Sequence, residues 1–269
     1  MNDYGEIARR APRARPGQMS RRQMVCLSAG IASTLLLPGC GGTPVEPIPA
    51  GGARLQARPG TPAGTIGTGL FDLQLDRRAL LYVPSAYRPE QPAPLALLLH
   101  GAIGDAHQLM DPLRPLAGAA GLLLLSVDSL GGTWDLIVEG SYGADVAFID
   151  LALGRAFHFC AVAPQQVAVV GFSDGASYAL ALGTANGDLF SRIVAFSAGV
   201  LPEPTPVGKP RIFESHGIQD AILPIDTSGR AISGQLRQRG YDVTYVEFEG
   251  GHSVPAPIVQ QAVAWLQVP

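Results

Sequence analysis

The sequence is poor in the groups that would hold a chain by covalent links or by charge. Three of its 269 residues are cysteine, one is lysine, 7% are aromatic and only 15% are charged. So little charge excludes a disordered, charge-driven binding segment, which needs self-repulsion to stay open. The lone lysine, Lys209, and an excess of acidic over basic residues beyond position 39 exclude nucleic acid as a partner, because no positive field remains to hold a phosphate backbone. The apolar stretch at 24–37 has 14 residues, short of the roughly 20 that a bilayer-spanning helix needs. Against these shortages stand 47% apolar residues, 33 glycines and 23 prolines. That is material for one domain with a sizeable core and many tight turns.

Charge is unevenly spread. Residues 1–39 carry six arginines against Asp3 and Glu6. Arg21 and Arg22 stand just before the 24–37 stretch, and this order of charge then apolar core suits an export signal. Ser20-Arg21-Arg22 resembles the opening of a bacterial twin-arginine signal, and Leu37-Pro38-Gly39-Cys40 resembles a lipobox, which implies lipid attachment at Cys40. Residues 1–39 are therefore expected to be a leader, 40–64 a Gly/Pro-rich tether, and 65–269 the folded domain. The implied location is the bacterial cell envelope, with a lipid anchor as the contact to membrane, or else a secreted or periplasmic form. Cys26 falls inside the leader, so Cys160 is the only cysteine left for the body. No internal disulfide is then possible there, and Cys160 is expected to be a small buried apolar group rather than a metal ligand.

Within the body, residues 95–99 are an unbroken apolar run, as expected for a strand buried on both faces of a parallel sheet. Similar strand-like runs occur at 122–127, 167–170, 193–196, 212–214 and 243–248, after two opening strands at 67–75 and 79–83. Helix-like segments at 107–119, 142–159, 176–184, 227–239 and 257–266 lie between them. Strands alternating with helices of this length predict an α/β fold: a mostly parallel sheet with helices on both faces.

The strand-like run at 167–170 leads into Gly171-Phe172-Ser173-Asp174-Gly175, followed by a small-residue helix. A sharp strand-to-helix turn leaves no room for side chains two positions either side of Ser173, and the two glycines supply that room. Ser173 is thus the candidate nucleophile, the alternative being an N-cap serine. A hydroxyl needs a base, and His252, in the loop after the last strand, is the candidate. Asp220, in the loop after residues 212–214, is the candidate acid to orient it. Asp226 suits a helix cap better and Asp128 is a weaker competitor. His216 is expected to bond backbone and shape the acid loop, while His100 is expected to brace the loop at 100–105.

Negative charge forming on a carbonyl oxygen calls for fixed donors. The backbone N–H of Asp174 is one candidate and that of Ala102 the other, with Ile103 the neighbouring alternative. Trp134, set among glycine and polar residues after a strand, is expected to form an aromatic wall with Ile103 at the substrate site. A Trp134 packed beneath its own loop is the competing reading. Nothing in this constellation requires a metal or an organic cofactor.

Leu99-His100-Gly101-Ala102-Ile103-Gly104-Asp105, the elbow at 171–175, His216-Gly217-Ile218-Gln219-Asp220-Ala221-Ile222-Leu223-Pro224 and Gly250-Gly251-His252 together resemble the α/β-hydrolase superfamily over residues 67–269. Within it the likeness is to phospholipase/carboxylesterase-like and to feruloyl-esterase or polyhydroxybutyrate-depolymerase-like proteins. The resemblance implies the α/β-hydrolase fold, a Ser173–His252–Asp220 triad, oxyanion donors at Ala102 and Asp174, and hydrolysis of carboxylic esters through an acyl-enzyme. Ala176 stands where members often have a further glycine. The lone Cys160 departs from the disulfide-bearing depolymerases, and no stretch is long enough for a substrate-anchoring module. A small-molecule or oligomeric ester is therefore the expected substrate, with feruloyl esters and hydroxyalkanoate oligomers as alternatives; protein partners are left open. A non-catalytic, surface-tethered binding protein that retained the fold is the rival from another class.

Overall fold

The computed structural model describes residues 52–268 apart from residue 203. The expected leader, the lipidation site Cys40 and the first part of the tether lie outside the described residues. The sheet has eight strands in the order β1-β2-β4-β3-β5-β6-β7-β8. β1 (Gly69–Asp72) and β2 (Ala79–Val83) pair antiparallel at one edge, and β2 runs antiparallel to β4 (Leu123–Val127). From β4 onward all pairings are parallel, through β3 (Ala93–Leu99), β5 (Val162–Phe172), β6 (Arg192–Phe196), β7 (Arg211–Gly217) and β8 (Val243–Phe248).

The central strands explain their own sequence. Leu95, Leu97 and Leu99 of β3 enter one core, while Ala96 and Leu98 enter the other. Alternate side chains of a strand point to opposite faces, so apolar residues at every position require cover on both sides. α3 (Ala144–Phe159), α4 (Asp174–Ala185) and α5 (Gly229–Gln238) cover the first face; α1 (His107–Ala120) and α6 (Ala256–Gln267) cover the second. Each leucine so buried contributes about 1.5–3 kcal/mol relative to exposure. The chain leaves β3 for β4 on one side and later enters β5 on the other. Connections thus diverge at the C-terminal ends of β3 and β5, where open α/β sheets leave a crevice for ligands.

Three expectations need correction. Residues 53–64, read as free tether, lie on the body. Leu55 is 1% exposed and its N–H donates to the side chain of Asn186, while the N–H groups of Gln56 and Ala57 share Oδ1 of Asp150. Arg54 and Arg58 both reach Asp188, and the amides of Ala63 and Gly64 donate to the carbonyl of His158. Side chains more than 90 residues away thus supply the backbone partners that an isolated Pro/Gly stretch lacks. The second correction is a short helix, α2 (Asp135–Glu139), where a loop was expected. The third is that α5 begins at Gly229, so neither Asp226 nor Thr227 caps it. Asp226 instead pairs with Arg230, and the Thr227 hydroxyl donates to the carbonyl of Pro224.

Candidate active site

Ser173 stands where β5 turns into α4, at φ 56° and ψ −118°. Positive φ is unfavourable for a residue with a side chain, by roughly 1–3 kcal/mol, and persists where the surroundings fix it. Here they do. A Cβ on Gly171 would lie 2.0 Å from the carbonyl oxygen of Gly175, and one on Gly175 would lie 2.2 Å from that of Leu99. Only glycine fits either position, so the turn can be this sharp. The Ser173 N–H donates to the carbonyl of Phe196, which ties the elbow to β6. Its hydroxyl does not cap α4; it faces His252 instead.

His252 Nε2 lies 2.8 Å from Ser173 Oγ, and His252 Nδ1 lies 2.7 Å from Asp220 Oδ2. A carboxylate can only accept, so Nδ1 carries the ring proton and Nε2 offers its lone pair to the serine hydroxyl. Asp220 is 5% exposed. Burial alone would push its carboxyl up. The N–H of Leu223, the His252 ring and the N–H of Ile222 outweigh that effect and hold it below the usual carboxylate range. The two amides donate to Oδ1 at 2.8 and 2.9 Å, which leaves Oδ2 for the imidazole. The ring of Phe172 packs against the imidazole with centroids 5.0 Å apart.

Beside the elbow runs the loop after β3. Among the described residues no acceptor takes the N–H of Ala102 or of Asp174. The alternative donor fails, because the N–H of Ile103 donates to the carbonyl of Gly132 at 2.6 Å. Ile103 itself is 93% exposed at φ 59°, a conformation that a β-branched residue seldom adopts. His100 braces this loop. Its Nδ1 donates to the carbonyl of Gly101, and its Nε2 accepts the N–H of Ser129. Both ring nitrogens are thereby engaged away from Ser173.

Trp134 is not an aromatic wall. It is fully buried, its indole N–H donates to the carbonyl of His100 at 2.8 Å, and its ring lies between His100 and Tyr178. The reason is α2, which starts at Asp135 and turns the chain inward. Asp135 accepts the amides of Gly143 and Asp145 and the hydroxyl of Tyr178. Trp134 therefore packs, as the competing reading had it, but beneath the loop after β3 as well as its own.

The chain's similarities agree with this architecture. A family model described as phospholipase/carboxylesterase matches residues 147–268, the stretch that holds Ser173, Asp220 and His252. NocK of Nocardia uniformis subsp. tsuyamanensis, a protein assigned as an esterase, is 31% identical over 195 residues, covering 68% of this chain and 54% of NocK. The chain thus spans about half the length of that relative. Feruloyl esterase C of Emericella nidulans is 22% identical over 209 residues, covering 65% of this chain and 76% of that enzyme. Among solved structures, esterase PE8 superposes with a TM-score of 0.56 at 21% identity, covering 74% of this chain and 99% of PE8.

The chain has the α/β-hydrolase fold. Several supports of the site had no sequence signature. The Thr133 hydroxyl donates to Asp174 Oδ2 and ties the loop after β4 to the elbow. Gln108 accepts the N–H of Gly101. Ser177, one turn beyond Ser173, accepts the amides of Gly199 and Val200. Of these only Gln108 had a local cue, its place in the first turn of the helix after the Gly-rich loop. Cys160 takes no part: it is buried and its thiol is pushed up to about 11 by that burial.

Proposed function

We propose that this protein is a serine hydrolase that cleaves carboxylic esters through an acyl-enzyme. The observation that carries the proposal is the continuous chain Ser173–His252–Asp220, at 2.8 and 2.7 Å, beside two backbone N–H groups without acceptors among the described residues. Ser173 Oγ attacks the ester carbonyl as its proton passes to His252 Nε2, and Asp220 stabilises the imidazolium. The oxyanion forms against the amides of Ala102 and Asp174, each such donor being worth about 10²–10³ in rate. His252 then protonates the departing alcohol. Water attacks the acyl-serine with its proton going to His252, and the acid leaves with Ser173 restored.

Loops after β3, β4, β6 and β7 carry Ile103 at 93%, Leu130 at 64%, Val200 at 55% and Ile222 at 70% exposure, all at the sheet edge that bears Ser173. Apolar side chains left in water along one edge favour an uncharged substrate with an apolar acyl or alcohol group. Feruloyl esters and hydroxyalkanoate oligomers both fit that description. The test is labelling of the purified protein with a fluorophosphonate, together with turnover of short-chain, feruloyl and hydroxyalkanoate esters. Labelling at Ser173 is expected, and Ser173→Ala should lose both labelling and at least about 10⁴ of turnover while keeping its fold. A folded wild-type protein that neither labels nor hydrolyses any of these esters would favour the binding-protein reading.

A further inference from the structure

Asp220 has a second histidine against it. His216, the sixth residue of β7, is fully buried, and its Nε2 lies 2.8 Å from the carbonyl oxygen of Leu223 and 3.2 Å from Asp220 Oδ2. A carbonyl has no proton to give, so Nε2 carries one, which it donates to Leu223 O with Asp220 Oδ2 close by. We propose that His216 is a positioning residue for the triad: its Nε2–H holds the Asp220 carboxylate, and the loop that carries it, in the orientation His252 requires. The proposal rests on the serine-hydrolase reading above and deepens it.

The donors to Asp220 divide by oxygen. Oδ1 takes the amides of Ile222 and Leu223. Oδ2 takes His252 and has Nε2 of His216 3.2 Å away. Without His216, Oδ2 would be held only by the ring it is there to orient, and the carboxylate could turn about its bond to Oδ1's partners. The contact to Leu223 O closes the 217–224 loop across its span, so one N–H fixes both the acid and the backbone that presents it.

His216 is itself held from behind. A Cβ on Gly229, the first residue of α5, would lie 2.8 Å from both Cβ and Nδ1 of His216. Nδ1 is buried without a partner among the described residues. A residue present only to fill this space would do so better as an apolar side chain, because an unpaired polar atom in the interior is unfavourable. What the imidazole adds is the donor at its far edge.

Two amides of different reach separate that donor from mere bulk or polarity. The side-chain NH2 of His216→Gln reaches the position of Nε2, whereas that of His216→Asn stops near Nδ1. With the full-length protein, and active sites counted by fluorophosphonate labelling run to completion, His216→Gln should keep kcat within about threefold. His216→Asn should lose about 10–100-fold in kcat, the range for removal of a residue that orients a catalytic group, with KM changed less than about twofold. In an Asp220→Asn background the same His216→Asn change should cost under about threefold, since the group it positions is gone. Equal behaviour of the two amides, a loss confined to KM, or full additivity with Asp220→Asn would overturn the proposal. If the wild-type protein labels and turns over esters, any of these results removes His216 alone. If it does neither, the serine-hydrolase reading fails first, and this proposal falls with it.

Discussion

The two halves of the site are held by different physics. On the side of β3 and β5, the candidate nucleophile and the candidate oxyanion donors are placed by backbone. Gly171 and Gly175 have no space for a Cβ, Ser173 is forced to positive φ, and the carbonyls of Leu99 and His100 press on the elbow. On the side of β7 and β8, the candidate acid and base are placed by the side-chain hydrogen bond between Asp220 and His252 and by the 3.2 Å approach of His216 to the same carboxylate. A steric arrangement fails abruptly when an atom is added. A hydrogen-bonded one degrades by the strength of the bond removed, and its failures depend on pH. The same proposed catalytic geometry thus has one brittle half and one tunable half.

The largest effect should come from the brittle side. Gly175→Ala puts a methyl 2.2 Å from Leu99 O and 2.3 Å from His100 O, both backbone atoms that cannot swing away. We expect loss of at least about 10³ in kcat/KM and, since overpacking typically costs about 1–3 kcal/mol, a melting temperature lower by several degrees. Fluorophosphonate labelling rates and thermal melts would check this. A variant with near-normal values would mean that the elbow can relax, and the contrast between the halves would disappear.

An intermediate effect should come from the tunable side without touching a polar group. Gly229→Ala replaces a poor helix former by a good one at the first position of α5, a change that elsewhere in helices favours folding by up to about 1 kcal/mol. Here the added methyl would meet His216. Activity should therefore fall by about three- to thirtyfold if the ring must shift from Asp220. Unchanged kcat in a folded variant would show that the ring yields without disturbing the acid.

The legible parts of this site were those with local punctuation. Gly171 and Gly175 flank Ser173, His252 follows Gly250-Gly251, and Asp220 follows the strand ending at Gly217. Strand ends could be read because parallel strands buried on both faces have unbroken apolar runs. What could not be read depends on contacts remote in sequence. Trp134 is buried because Asp135 and the carbonyl of His100 draw it inward. Leu55 is buried because Asn186, 131 residues away, captures its amide. Likewise His216 and Asp220 are four residues apart, but nothing local says that the loop between them folds back to set His216 Nε2 3.2 Å from Asp220 Oδ2.

The smallest effect sharpens the difference in pH response. Glu214, two residues before His216 on β7, is fully buried, and neither carboxylate oxygen has a partner among the described residues. Burial pushes its carboxyl well above the ordinary range, and the charge of Arg237 offsets this only in part. In the unfolded chain a glutamate loses its proton near about pH 4.3. Above that pH the unfolded state sheds a proton that the folded state keeps, so stability is full below it and declines as pH rises towards the folded-state value. Glu214→Gln stays neutral throughout and escapes this decline. Its melting temperature relative to wild type should thus rise by a few degrees between about pH 5 and pH 8, with activity within about twofold because Glu214 contacts no member of the triad. A difference that stays flat across this range would mean that Glu214 is ionised inside the fold. The region behind the acid would then contain a charge pair, and the tunable half would extend one strand position deeper than the His216–Asp220 contact.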